Sequence, residues 1–295
     1  MDAPHPPPRR AIGLTEILKA ATAMGALGAN AQSGQKLLAV LCDPQVKSAV
    51  VAQWVDQDPM ISARVLRVAN SPYYGQTRSV TTIARALLLL GLDAVRGIAA
   101  AACLDRTLSR GGALVALDVH AVMQHSLASA VAADMLARAC RPALSGAAFI
   151  GGLLHNFGVV IQAYVDAPGV EAMRAGRRDD AGRGIRQLEA QYAAVGHEDC
   201  VAALFDTWRL PDSLVMAARH HHDPAAAPDP HRDLAATLNL AAYIGLAGGY
   251  TFSLETDPGE PDAGALRQIG LAAADLEPFV REVPLRVTEL RRALA

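Results

Sequence analysis

The stretch AAFIGGLLHNFG, Ala147 to Gly158, combines an apolar helical run with two adjacent glycines and a histidine. Within it, Phe149 to Leu154 has the composition of a buried helix, and Gly151 and Gly152 have no side chains to hold a neighbouring helix away. Two glycines also lower intrinsic helicity. We therefore expect a close helix contact at this pair, with His155 at its end.

Composition predicts a protein that is nearly all helix. The chain has 295 residues, of which 52% are hydrophobic and 19% charged, enough apolar material for one large domain or two small ones. Aromatic residues make up only 4%, which disfavours a β-sandwich. No segment shows the sustained period of two that is typical of strands. The expected fold class is all-α, with many helices.

Helix start and stop signals recur along the chain. An aspartate or threonine before an apolar run can accept the free amide hydrogens of a first turn, and proline suits the first helical position. On this basis helices begin at Asp43-Pro44, Asp58-Pro59, Thr81 or Thr82, Asp93, Asp118 and Leu210-Pro211, and one ends at Gly91.

The second half of the chain predicts five further features. They are a helix over Leu117 to Cys140, a solvated arginine-rich linker over Arg174 to Arg186, a helical stretch over Gln187 to Trp208, a buried helix from Leu234 that ends near Gly248, and final helices interrupted at Pro284. The final helices fit either a packed tail or a dimer contact.

Five histidines between residues 125 and 222 are spaced as in metal-dependent phosphohydrolases. The positions three or four residues from His125 are small or apolar, so its ring should point inward. If all five rings share a cleft, they cannot all be protonated without several kcal/mol of repulsion, so neutral rings, a metal or a bound anion must resolve the charge. The candidate ligands are His125, His155, His197, His221 and His222.

Asn156 is an amide where this chemistry calls for a carboxylate. Metal-dependent hydrolases hold their ions with imidazoles and at least one carboxylate, which can bridge two ions. An amide offers one neutral oxygen and cannot act as an anionic bridge. Asp223 and Glu198 are the candidate substitute carboxylates. The sequence thus predicts a hydrolase scaffold whose chemistry is lost or weakened.

Charge and composition exclude several other classes. A formal net charge of -2 with interspersed signs gives no footprint for duplex nucleic acid. The start, MDAPHPPPRR, lacks the apolar core of a signal peptide. The uncharged run Leu234 to Leu254 contains several polar residues and glycines, which favours a buried helix over a membrane span. The four cysteines form no CxxC pair, as is typical of free thiols in a reducing cytoplasm.

Several motifs together resemble the HDOD domain, the HD-related output domain of bacterial signalling. Their order matches that of the family, and the resemblance spans Leu37 to Pro224. The motifs are DPMISARVLRVANSPYYG from Asp58, the Ile83 to Gly91 helix, HSLASAVAADMLA from His125, AAFIGGLLHNFG, the Glu189 to His197 segment, TWRLP from Thr207 and AARHHHDP.

The resemblance implies an all-helical, two-lobed relative of the HD and HD-GYP phosphohydrolases that acts in regulation without catalysis. It places the five histidines on or near metal-ligand positions, with Asn156 in place of the acidic HD residue, and no Gly-Tyr-Pro follows the histidine run. The expected organisation is a tail and N-terminal helix over 1–30, an HDOD domain over 31–228 with lobes of about 31–115 and 116–228, and a helical extension over 229–295 packed on the second lobe.

The expected partner is another signalling protein or a small nucleotide ligand, with a homodimer as a further option and no membrane. The sequence identifies no definite cofactor, but iron, manganese, nickel or zinc could occupy the histidines. The alternative function is a residual metal-dependent phosphohydrolase or phosphodiesterase.

Overall fold

The computed structural model describes residues 46–71, 79–92, 117–180, 182–207 and 210–294, together with a few single positions between them. The expected tail, the Asp43-Pro44 start and the Asp93 start lie outside these residues. No described residue belongs to a β-strand; Phe252 and Glu255 form one isolated bridge. The prediction of an all-α fold is confirmed.

Three helices form the first part of the described chain, and they pack against one another. They are α1 (Ser48–Asp56), α2 (Pro59–Ala69) and α3 (Ile83–Leu90). The amide of Ile61 donates to Asp58 Oδ1 at 3.2 Å, and that of Arg85 donates to Thr82 Oγ1 at 3.2 Å. Both predicted caps are therefore present. Helix α3 ends at Gly91, whose φ of 85° suits a residue without a Cβ.

Ten more helices follow from residue 119 in the described chain. They are α4 (Val119–Cys140), α5 (Ser145–Leu154), α6 (Phe157–Val165), α7 (Ala167–Asp179), α8 (Ile185–Tyr192), α9 (His197–Thr207), α10 (Asp212–Arg219), α11 (Arg232–Ala247), α12 (Ala263–Ile269) and α13 (Glu277–Leu294). Asp118 caps α4 through the amide of Ala121. Helix α11 ends before Gly248, as predicted.

The centre of this region is formed by α4, α5 and α11. A Cβ on Gly152 would lie 2.6 Å from the carbonyl oxygen of Ser129 on α4, and one on Gly151 would lie 2.9 Å from the Leu238 side chain on α11. The glycine pair therefore permits the close packing of α5 that the sequence predicted. That packing brings the end of α5, where His155 lies, against α4.

Three helix boundaries differ from the prediction. The run Gln187 to Trp208 is interrupted between α8 and α9, because Gln162 binds the carbonyl of Val195 at 2.6 Å and Glu189 accepts the amide of His197 at 2.8 Å. These two buried contacts hold the turn at residues 193–196, which no local signal specifies.

The second difference is the predicted linker Arg174 to Arg186, most of which is helical. Asp166 caps α7 through the amide of Gly169, and the helix continues to Asp179. Arg177 is 7% exposed, because its guanidinium donates to the carbonyl of Arg183 and to Thr256 Oγ1. A buried guanidinium with two acceptors stabilises α7, although the density of charged residues in this segment favours a solvated linker.

The third difference is Pro284, which does not interrupt α13. Proline removes one amide donor from a helix interior, but Val283, Val287 and Leu290 are all buried on one stripe of this helix. Helix α13 packs on α4, α11 and α2. Among the described residues the C-terminal extension thus contacts both α4 and α2, while the predicted domain boundaries stay a prediction.

The run Pro142–Val165 is the one described stretch long and apolar enough to cross a membrane by composition, and 78% of an apolar 18-residue segment within it is buried in the fold. It comprises a short 3-10 turn, α5 and α6, with a break at His155 and Asn156. Because these helices pack in the core of the described fold, the run is buried by protein rather than exposed. The described cysteines, Cys140 and Cys200, are free thiols.

Candidate metal centre

The five predicted histidines come together in one buried cluster, which we call the histidine cluster. Their rings are in sequential contact: His125 with His155 at 5.5 Å between centroids, His155 with His221 at 5.0 Å, and His221 with His197 at 5.1 Å and His222 at 4.2 Å. All except His222 are at most 1% exposed. His222 has 19% of its side chain exposed and lies at the edge.

Four of these rings are fixed by a hydrogen bond at Nδ1. His125 pairs with the carbonyl of Tyr250 at 2.8 Å, His155 with that of Gly152 at 2.8 Å, and His221 with that of Ala218 at 2.7 Å. A carbonyl only accepts, so Nδ1 donates in each case, and the neutral ring then carries a lone pair on Nε2. Second partners of this kind set the tautomer of metal-binding histidines.

His197 is held by a carboxylate. Glu189 Oε1 accepts both the Nδ1–H and the backbone amide of His197 at 2.8 Å each, and Gln162 Nε2 donates to the same oxygen at 2.7 Å. Burial opposes the charge of Glu189, but His197 and Gln162 outweigh it and lower the pKa of the carboxyl. Burial likewise opposes the imidazolium, yet Glu189 raises the pKa of His197 to about 9.

Glycine permits the approach of α6 to this pair. A Cβ on Gly158 would lie 1.9 Å from the carbonyl oxygen of His197, so no other residue fits there without moving α6 away from the start of α9. Sequence reasoning missed both Glu189 as the orienting carboxylate and Gly158 as the contact that admits it.

The Nε2 atoms of three histidines converge. His197 Nε2 lies 3.3 Å from that of His221 and 3.1 Å from that of His222, and the three ligand atoms lie within 4.8 Å of one another. Nitrogen ligands about 2.0–2.1 Å from a tetrahedral ion are separated by about 3.3 Å. The His155 Nε2 is buried and has no hydrogen-bond partner among the residues that the structure describes. The histidine cluster could therefore hold a divalent metal.

The other four rings favour the neutral form. Burial is the main cause that lowers the pKa of each, and neighbouring imidazoles lower it further for His155, His221 and His222. For His125 burial outweighs the opposing effects of Glu255 and the Tyr250 carbonyl. Neutral imidazole is the form that binds metal.

Asn156 is fully buried between α5 and α6, beside a carboxylate that the sequence did not single out. Its Nδ2 donates to Glu255 Oε2 at 3.3 Å, and Glu255 Oε1 lies 3.8 Å from His222 Nε2. The Asn156 Oδ1 has no partner in the described residues. Residues 255–264 have the composition of a turn-rich loop, which gives no sign of a functional residue. The one available signal for Glu255 was that a metal-dependent hydrolase site needs a carboxylate and Asn156 does not provide one.

The two predicted substitute carboxylates lie elsewhere. Glu198 pairs with Arg186 at 3.2 Å and accepts the backbone amide of His222, so it supports the histidine cluster from the side. Asp223 is exposed, and it is not among the residues whose ligand atoms converge in the described chain. Glu255 occupies the place beside the histidine cluster that Asp223 and Glu198 were expected to fill.

The model of the HDOD domain matches residues 27–224. The chain belongs to the HDOD domain family. The predicted resemblance is confirmed, and the match ends at the residue where the resemblance was expected to end. Glu255 and the helices α11, α12 and α13 lie beyond the HDOD match.

Relatives of this HDOD protein agree with the fold. An HDOD domain protein of unknown function from Geobacter sulfurreducens is 23% identical, with a TM-score of 0.69 over 94% of this chain and 97% of that one. A protein from Marinobacter aquaeolei VT8, provisionally named a signal transduction protein, is 23% identical with a TM-score of 0.67, over 89% of this chain and 58% of that one.

A curated relative, an uncharacterized protein of Treponema pallidum (strain Nichols), is 26% identical over 206 residues. These residues are 68% of this HDOD protein but 38% of the relative, so the chain spans less than half of that protein's length.

Proposed function

We propose that this chain is a non-catalytic signalling protein in which the histidine cluster holds one divalent transition metal. The observation that carries the proposal is burial: four of the five imidazoles are at most 1% exposed. Only His222 and Glu255 reach solvent, with 19% and 11% of their side chains exposed. A catalytic metal keeps an open coordination position that substrate and water can reach, whereas four of these five imidazoles are closed off from solvent.

Charge supports the same function. A two-metal hydrolase uses a bridging carboxylate to balance the two ions, and Asn156 faces Glu255 with its amide NH₂ group instead. Three imidazoles and one nearby carboxylate are enough for a single ion of charge two. We expect zinc, iron, manganese or nickel there, one equivalent per chain.

Regulation would then depend on whether the protein has metal or a partner bound, and not on turnover of a substrate. Two points support this role. The resemblance to the HDOD family implies an output domain of bacterial signalling, and the relative from Marinobacter is named as a signal transduction protein. The partner we expect is another signalling protein in the cytoplasm. A small nucleotide bound without hydrolysis, or a second copy of this chain, is a further outcome to be tested.

The experiment combines elemental analysis with turnover assays. Purified protein should contain about one equivalent of transition metal, and it should hydrolyse neither bis(p-nitrophenyl) phosphate nor cyclic dinucleotides in manganese, iron or nickel. Metal-dependent turnover that His155→Ala abolishes would refute the non-catalytic function. Absence of metal uptake at millimolar zinc or manganese would refute the metal centre itself.

A residual phosphohydrolase is the second candidate, and one observation favours it. His155 Nε2 is buried without a partner in the described part of the chain, next to the converging three, so a second ion could take it as a ligand. Two equivalents of metal in the purified protein, with turnover, would establish this function in place of the first.

A further inference from the structure

Residues 250–256 form a short strap across the histidine cluster. The Tyr250 carbonyl accepts from His125 Nδ1 at 2.8 Å, and the Phe252 ring lies 5.5 Å from the His125 ring. Leu254 is fully buried. The strap follows α11 and lies outside the residues that match the family model.

The strap is turned so that one carboxylate points toward the metal ligands. Phe252 and Glu255 exchange backbone hydrogen bonds at 3.0 and 2.9 Å, which makes a tight antiparallel turn. Thr256, the next residue, accepts from the buried Arg177 at 2.7 Å. The side chain of Glu255 is thereby fixed between the Arg177 anchor and His222.

The two oxygens of Glu255 have different surroundings. Oε2 accepts from the Asn156 amide at 3.3 Å, while Oε1 lies 3.8 Å from His222 Nε2. Metal-binding carboxylates are commonly hydrogen-bonded in this way by a neighbouring group. Glu255 lies outside the group of three Nε2 atoms that converge within 4.8 Å, so a bound ion must draw Oε1 from the His222 edge toward them.

The amide at position 156 is what allows this approach. An aspartate there would place two carboxylates about as close as the Asn156–Glu255 pair, and they would repel strongly in a buried site. The absence of a carboxylate at position 156 and the presence of the Glu255 carboxylate beside it therefore go together.

We propose that Glu255 is the carboxylate ligand of the metal centre, so that the bound metal fastens the strap and the C-terminal extension to the histidine cluster. The inference rests on the proposed metal centre. It adds a regulatory consequence: metal binding tightens the strap, which the Tyr250 and Thr256 contacts already place there, against the edge of the cluster at His222.

The test compares Glu255→Gln with Glu260→Gln, a matched control because Glu260 is exposed on the same loop. Zinc and manganese are titrated separately into metal-stripped full-length protein by calorimetry. We expect Glu255→Gln to weaken affinity by about tenfold or more, as loss of even an outer-shell partner does, and Glu260→Gln to leave it unchanged. Equal affinities for wild type and Glu255→Gln would overturn the inference while leaving the metal centre in place.

Hydrogen exchange provides the second readout. Metal should increase protection of the Phe252 and Glu255 amides in wild type and in Glu260→Gln, but not in Glu255→Gln. The double variant Asn156→Asp with Glu255→Gln returns a carboxylate to position 156, so it should regain metal affinity without regaining strap protection. Metal-independent protection of the strap in wild type would overturn the fastening role. A wild type that takes up no metal would refute the proposed metal centre, and the inference with it.

Discussion

Gly158→Ala tests the contact on which the geometry of the histidine cluster depends. An added Cβ would lie 1.9 Å from the His197 carbonyl oxygen, about 1.5 Å inside an ordinary contact of 3.4 Å. Helix propensity alone favours alanine by about 1 kcal/mol, whereas overpacking against backbone costs about 1–3 kcal/mol and occasionally more. Since neither α6 nor the start of α9 can relax by rotating a side chain, we place the overpacking cost at about 3–4 kcal/mol, which leaves a net loss of about 2–3 kcal/mol after the propensity gain.

For a domain of this size, each kcal/mol corresponds to about 2–4 °C in Tm, so the expected decrease is about 4–12 °C. Thermal unfolding followed by circular dichroism measures it, with Gly182→Ala as the control, because the nearest atom there is a side-chain oxygen at 3.4 Å. A displaced His197 should also weaken zinc binding by calorimetry. A Tm equal to or above that of wild type would refute the packing argument.

Three further predictions concern the charges of the cluster. Glu189→Gln removes the carboxylate that orients His197, so zinc affinity should fall about 10–100-fold. The pKa of His197 should also decrease in an NMR titration, and an unchanged pKa would contradict the pairing of Glu189 with His197. Asn156→Asp should destabilise the metal-free protein, because its new carboxylate would face Glu255, yet raise metal affinity, and calorimetry with chemical unfolding should show both changes. Metal-free protein should be most stable near pH 6.5–7 in urea unfolding. The four imidazoles with a lowered pKa lose their contribution as pH falls below about 6.5, and His197 loses its own as pH rises toward about 9; greater stability at pH 5 than at pH 7 would contradict the four lowered values.

The features that the sequence predicted correctly depend on local contacts. Asp58 and Thr82 cap helices through amides three residues away, and Gly152 permits a contact whose cause is its own missing side chain. His155 follows from the same apolar run. In each case the residue that determines the feature lies within one or two helical turns of it in sequence, so a local sequence pattern is enough to predict the feature.

The features that the sequence did not predict depend on distant partners. The Asn156 to Glu255 hydrogen bond joins residues 99 positions apart, and the Arg177 to Thr256 bond joins residues 79 apart. Both ends at 255 and 256 lie in a polar stretch that has no periodicity. Sequence proximity to the histidines therefore points to Asp223 and Glu198, whereas Glu255 reaches the cluster only across the fold.

The buried apolar run Pro142–Val165 has a consequence for biosynthesis. Its cover includes α4, which leaves the ribosome before it, and α11, which begins only at Arg232. Until α11 is translated, the face of this apolar segment that α11 covers is exposed in the nascent chain. Chaperones bind exposed apolar surface of this kind. Truncation before residue 232 should therefore yield a chain that aggregates or stays chaperone-bound, even though the whole family-matched region has been made.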